Sequence, residues 1–185
     1  MESPALLLID VQYGLDESDY YGGGRNNPQA EQNCATILSI WRKENWPVIH
    51  VKHNSTEPQS PLRPGQRGND IKSCVAPIES EPVFEKNVNS AFIGTELESY
   101  LRKREIQKLV VVGLTTDHCI STSVRMAGNL GFDTWLVGDA TATFDKVGSN
   151  GQIISSELIH EVHLASLNEE FATVIQTDDL PRIFY

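Results

Sequence analysis

Runs of consecutive apolar residues alternate with segments of helical spacing along this chain, and the alternation restricts what it can fold into. ALLLI at residues 5–9 and segments 47–53, 108–113, 134–137 and 172–176 read as strands. Between the first two, Ala30, Cys34, Ile37, Leu38 and Trp41 recur at helical spacing within residues 29–45. Further helices are expected at 95–104, 120–130 and 155–167. The first of these opens on Thr95-x-x-Glu98, a capping box, with Leu97 and Leu101 on one face. The second is closed by Gly131. Strands that lack polar alternation are buried on both faces, as parallel strands covered by crossover helices are. The expected fold is therefore α/β, a three-layer, doubly wound, Rossmann-like parallel sheet with right-handed crossovers. At 185 residues the chain suits one domain with a full core, so residues 1–185 are read as a single domain.

Bulk properties exclude several functions. A net charge of −10 argues against nucleic acid or an anionic membrane as partner, because phosphates require clusters of Lys and Arg. No apolar run approaches the roughly 20 residues of a membrane span. The opening MESPALLLIDVQ reads as the start of a strand and not as a signal peptide. Cys34, Cys74 and Cys119 are odd in number and far apart, with no CxxC, which places the protein in a reducing cytoplasm. Segments 13–28 and 54–82 break the alternation, and loops this long in a compact domain are usually functional or disordered. Gly22 to Gly24 would give the first a mobile flap.

Ligands of open parallel sheets bind outside the carboxyl ends of the strands. Three reactive residues reach that edge: Asp10 after the first strand, Lys86 after a short extended segment at 82–84, and Cys119 after the strand at 108–113. Cys119 is placed where a helix begins, and the partial positive charge there favours the nucleophilic thiolate. A carboxylate in a dry pocket can accept the thiol proton, and an ammonium beside both favours the two anions. Asp10 and Cys119 would titrate as a coupled pair. Backbone N–H groups of the turn at 115–119 are placed to bind an oxyanion.

GLTTDHC, with LLLIDVQ upstream and FEKNVNSAF between, resembles the isochorismatase-like cysteine hydrolases, relatives of nicotinamidase and N-carbamoylsarcosine amidase. The likeness runs from Leu6 through DATATF to HEVHLASLNEEFATV. It implies a six-stranded parallel sheet and a triad of Asp10, Lys86 and Cys119. It also implies a cis peptide at Leu114–Thr115 that aims the Thr115 and Cys119 N–H groups at the oxyanion. Cofactors are not expected. Nicotinamidases of the family carry an Asp-x-His metal site, whereas this region reads VIHVKHNST, with His50 and His53 and no such acid. Three residues apart on a strand, the two histidines face opposite ways, so no metal is expected and His50 reads as a core or subunit-contact residue. The carrier domain of siderophore isochorismatases is not expected either, since the chain ends at Tyr185.

The substrate expected is a small molecule with an amide-type C–N bond, cleaved through a thioester. Vinyl ether hydrolysis of the isochorismate type is the alternative, although some relatives that perform it lack the cysteine this chain keeps. A third reading is a non-enzymatic redox or binding protein built around the thiol. Pocket candidates are Gln12, Tyr20, Phe92, His118 and Phe144, with Tyr13 and Tyr21 in the same flexible segment. A homodimer or homotetramer is expected from the resemblance, with the apolar LPRIFY tail available to dock on a neighbour.

Overall fold

In the computed structural model, which describes residues 3–184, the apolar runs form the centre of the molecule. β1 (Ala5–Ile9) is buried at every position. β2 (Val48–His53) and β4 (Lys108–Leu114) flank it, both in parallel register. β3 (Val83–Lys86) lies outside β2, and β5 (Asp133–Ala142) and β6 (Thr173–Ile175) extend the other side. The sheet has six strands in the order β3-β2-β1-β4-β5-β6, all parallel. Chain order reverses between β1 and β4, so a crevice opens there at the carboxyl edge. The fold is the α/β architecture read from the sequence.

Helices cover both faces. α1 (Ala30–Lys43) sends Cys34, Ile37, Leu38 and Trp41 against one face of the sheet, with Leu6, Leu8, Val110 and Val112. α2 (Leu97–Lys103), α3 (Ser121–Asn129) and α4 (Ser156–Leu167) pack on the other, around Leu7, Ile9, Leu109 and Val111. At α4 the Ser155 hydroxyl caps the helix by accepting from the Leu158 N–H. The capping box expected at Thr95 does not form. The Thr95 hydroxyl donates to the Ala91 carbonyl at 2.6 Å and accepts from the Leu97 N–H at 3.4 Å, and α2 starts later, with no cap from the side chain of Glu96.

The long segments are not loose. Lys72 reaches Asp16 at 2.5 Å and Glu31 at 2.6 Å, tying the second segment to the first and to α1. Two of the three glycines, Gly22 and Gly24, pack tightly, while a Cβ on Gly23 would meet nothing within 4 Å. A Cβ on Gly22 would fall 2.1 Å from the Asp145 carbonyl oxygen, and one on Gly24 would fall 2.6 Å from the Asp145 carboxylate. Glycine is required there because the backbone runs hard against the turn after β5.

Part of the tail folds back onto its own chain. Phe184 packs on Trp41, Trp46 and Trp135 of its own chain, with ring centroids 6.0, 6.4 and 5.2 Å away. It therefore covers its own domain. Tyr185, which ends the LPRIFY segment, lies outside the described residues, as do Met1 and Glu2. No helix among the described residues is long and apolar enough to cross a membrane.

Candidate active site

The carboxyl ends of four neighbouring strands converge at the crevice. β3 ends on Lys86 and β2 on His53, which are register partners. Asp10 follows β1 in a left-handed conformation, φ 53°, while its N–H still bonds the Val51 carbonyl at 2.9 Å. Left-handed backbone is costly for a side-chain-bearing residue, least so for Asp and Asn, and collects at functional sites. β4 ends at Leu114, followed by a cis Leu114–Thr115 peptide. Cys119 then lies in a π-helical turn, Thr116–Ile120, ahead of α3. β1 and β4 can stand this close because Gly113 faces Ile9: a Cβ there would lie 2.0 Å from the Ile9 carbonyl oxygen.

The Lys86 ammonium is the hub. Its Nζ donates to Asp10 Oδ2 at 2.6 Å and to Cys119 Sγ at 3.2 Å, and lies 3.1 Å from His53 Nδ1. Burial works against the charge on Lys86, yet the neighbouring Asp10 and Cys119 raise its pKa above the ordinary value. Cys119 departs from the sequence reading. Burial first, then the Asp10 charge, push its thiol well above the ordinary range, and Lys86 offsets this only in part. One ammonium balances one anion in a dry site, so a proton stays on the Asp10–Cys119 pair. The thiol donates to Asn89 Oδ1 at 3.8 Å, and the Asp10 carboxylate lies within 4.8 Å of the sulfur, the nearby group able to take that proton.

Asp10, His53 and Cys119 offer ligand atoms within 4.8 Å of one another. The Lys86 ammonium already contacts all three, so the set fits this one cation and a divalent ion would stand against it.

A cavity of 170 Å³ lies over these groups, lined by Leu15, Tyr20, Tyr21, Ser60, Leu62, Asn89, Leu114, Thr115 and His118 beside Asp10, His53 and Cys119. It is smaller than the roughly 300 Å³ at which drug-sized sites begin, and suits a compact substrate. Tyr20 and His118 of the expected pocket residues border it. The other three do not. Gln12 is buried below, its amide gripping the His53 backbone, with its oxygen accepting the N–H at 2.8 Å and its nitrogen donating to the carbonyl at 3.0 Å. Phe92 stacks on Phe132 in the core. Phe144 is buried beneath Tyr21, rings 5.0 Å apart, and supports the wall without reaching the cavity. Tyr13 holds the Ser73 N–H, away from the site.

Sequence reading passed over His53, although strand alternation places it opposite His50 and at the same edge as Asp10. His50 is a core residue, 2.9 Å from Glu81. Burial alone would raise the Glu81 carboxyl, but bonds from Arg42, His50 and the Ile78 N–H hold it at about 2. His160 was also passed over. Its Nδ1 lies 2.9 Å from the Thr116 hydroxyl, which donates onward to Thr141, and its Nε2 lies 3.3 Å from the Asn27 amide. This chain of bonds anchors the turn that carries Cys119. On the turn's other side, Asp117 accepts from the Thr143 hydroxyl at 2.5 Å.

Residues 4–179 match the isochorismatase domain model. The chain belongs to the isochorismatase family. It is 46% identical over 179 residues to the uncharacterized isochorismatase family protein YrdC of Bacillus subtilis (strain 168), covering 97% of this chain and 95% of the relative. Nicotinamidase 3 of Arabidopsis thaliana is 29% identical over 191 residues, covering 96% and 87%. An isochorismatase-family crystal structure from Chromobacterium violaceum ATCC 12472 superimposes with a TM-score of 0.94 at 43% identity, covering 100% of this chain and 94% of that one. The protein is thus a hydrolase of the isochorismatase family, the family its three motifs resemble.

Proposed function

We propose that this isochorismatase-family hydrolase cleaves a small, uncharged, non-peptide amide through a thioester on Cys119. The observation that carries this reading is the Lys86 ammonium held 2.6 Å from Asp10 and 3.2 Å from Cys119 at the cavity floor. As the sulfur attacks the carbonyl carbon, Asp10 takes the thiol proton. The N–H groups of Thr115 and Cys119 receive the oxyanion. Collapse breaks the C–N bond, and the proton on Asp10 passes to the departing amine or ammonia. Asp10 then takes a proton from water, the resulting hydroxide attacks the thioester, and the thiol is re-formed with that proton. Lys86 keeps the single negative charge in place as it moves between oxygen and sulfur.

The lining supports an uncharged substrate. Among the described residues that border the cavity there is no lysine or arginine. Lys86 beneath it is already shared by three acceptors. A dicarboxylate such as isochorismate would enter beside Asp10 with no cation of its own to meet. The redox-sensor reading needs a thiol of low pKa, and burial and Asp10 move Cys119 the other way. The name of the Arabidopsis relative, nicotinamidase, is that of an amide-cleaving enzyme. The test is ammonia release from a panel of small carboxamides by wild type and by Cys119→Ala. Ammonia from the wild type alone supports the reading; equal release from both ends it.

Copies of the chain associate as a homodimer or homotetramer in this reading. The face available is apolar: Val147 and Ile153 of a hairpin pairing Lys146–Val147 with Ile153–Ile154, and Leu158 and Val162 on α4, are each more than half exposed. Cys34, Cys74 and Cys119 are all free thiols, which suits the cytoplasm.

A further inference from the structure

We infer that His53 is a positioning residue, the third acceptor of the Lys86 ammonium, and that it aims the other two N–H bonds of Lys86 at Asp10 and Cys119. The inference rests on the reading of Asp10, Lys86 and Cys119 as the reacting set.

An ammonium has three N–H bonds and no lone pair. Lys86 Nζ has three partners: Asp10 Oδ2 at 2.6 Å, His53 Nδ1 at 3.1 Å and Cys119 Sγ at 3.2 Å. Each bond is thereby assigned, and the ammonium cannot rotate or withdraw without losing one. Lys86 is the buried, flexible member of the site, and a four-carbon stem does not fix its own tip. Three acceptors from three different segments do.

Nδ1 can accept only if the imidazole is neutral with its proton on Nε2. The surroundings enforce that state. Burial and then the Lys86 charge lower the His53 pKa, and the Asp10 charge does not restore it.

The backbone of His53 is fixed with unusual thoroughness for a strand end. Gln12 grips its N–H and its carbonyl, at 2.8 and 3.0 Å, and Asn69 donates to the same carbonyl at 2.9 Å. Gln12 in turn bonds the Asn69 carbonyl at 2.8 Å. Gln12 follows Asp10 by two residues, so one segment carries the base and also secures the residue that orients its ammonium partner. That gives the buried amide of Gln12 a role two steps from the chemistry.

The experiment compares wild type with His53→Ala, His53→Asn and His53→Gln. The asparagine oxygen stands where Nδ1 stood, and the glutamine oxygen reaches toward Nε2. The first readout is the pH profile of Cys119 alkylation by iodoacetamide, followed by intact mass, which needs no knowledge of the substrate. In His53→Ala the profile moves up by about one unit, a roughly tenfold slower reaction below the midpoint, because the ammonium is no longer fixed against the sulfur. His53→Asn restores the profile toward wild type, and His53→Gln does not. The second readout is kinetic: on any amide the wild type turns over, kcat falls by roughly ten- to a hundredfold in His53→Ala with KM little changed.

Wild-type alkylation in His53→Ala overturns the proposal, as does an equal loss in the asparagine and glutamine variants. If His53→Ala does not fold, the asparagine and glutamine variants decide on their own. If the wild type turns over no amide, the amidohydrolase reading fails separately and the alkylation series still judges His53.

Discussion

At the scale of residues, the site is a matter of one charge shared among close neighbours. Burial and Asp10 push the Cys119 thiol well above its ordinary range, so in the proposed mechanism activation comes from a base acting during attack and not from a standing thiolate. Replacement of Cys119 by alanine is expected to lower kcat by at least about 10³-fold, the scale seen when a nucleophile working with a base is removed. Ammonia release measured at saturating amide checks this. Tyr21 offers a second test. Its hydroxyl is buried with no hydrogen-bond partner among the described residues, on a ring that borders the cavity. Burial first, and then neighbouring charges that include Asp10 and Cys119, raise its pKa, so it stays a donor. Tyr21→Phe removes an unpaired buried group, worth about 1 kcal/mol, and the free enzyme's Tm is expected to rise by roughly 2–4 °C. An unchanged or lower Tm in scanning calorimetry would show the hydroxyl to be paired.

At the scale of elements, the convergence of Asp10, Lys86 and Cys119 is legible in the sequence because parallel strands deliver their ends to one edge. The walls are not, because side-chain direction after a strand depends on turns that composition does not encode. Gln12 lies two residues past β1, yet turns under the site to hold His53. Phe144 reaches the right neighbourhood and stops one ring short, behind Tyr21. Thr95 carries a capping motif whose hydroxyl goes to Ala91. Gly22 and Gly24 follow the same logic: their tightness comes from Asp145, more than a hundred residues away. Gly22→Ala is expected to displace the Tyr20–Tyr21 wall and lower kcat/KM by roughly ten- to a hundredfold. Steady-state kinetics test this, and wild-type kcat/KM would mean that Gly22 has slack.

His160 belongs to this scale as well, since it ties α4 to the turn bearing Cys119. Burial, with His163 nearby, lowers its pKa, against the opposing charge of Glu161. The folded protein therefore binds this proton less readily than the unfolded chain does. Its contribution to stability is complete above the ordinary histidine value, about 6.5, and is lost as pH falls below that toward the lowered folded value. Wild type is expected to lose more Tm than His160→Gln between pH 7 and pH 5, by a few degrees. Equal losses in a thermal-shift series would remove His160 from the acid response.

At the scale of the molecule, a net charge of −10 disfavours polyanions, which need clusters of Lys and Arg. Phe184 of the tail packs on Trp41, Trp46 and Trp135, while Val147, Ile153, Leu158 and Val162 stand exposed, and the proposed association uses that face. Light scattering is expected to give a dimer or tetramer, and Ile153→Asp combined with Leu158→Asp to give a monomer. A monomeric wild type would remove the apolar face from the assembly.

The central claim is a covalent one, and intact mass spectrometry of acid-quenched turnover tests it most directly. With an amide that releases ammonia, the account predicts a transient adduct equal to the amide less ammonia, mapped to the peptide bearing Cys119 and missing in Cys119→Ala. Turnover that leaves no adduct and persists in Cys119→Ala would contradict it.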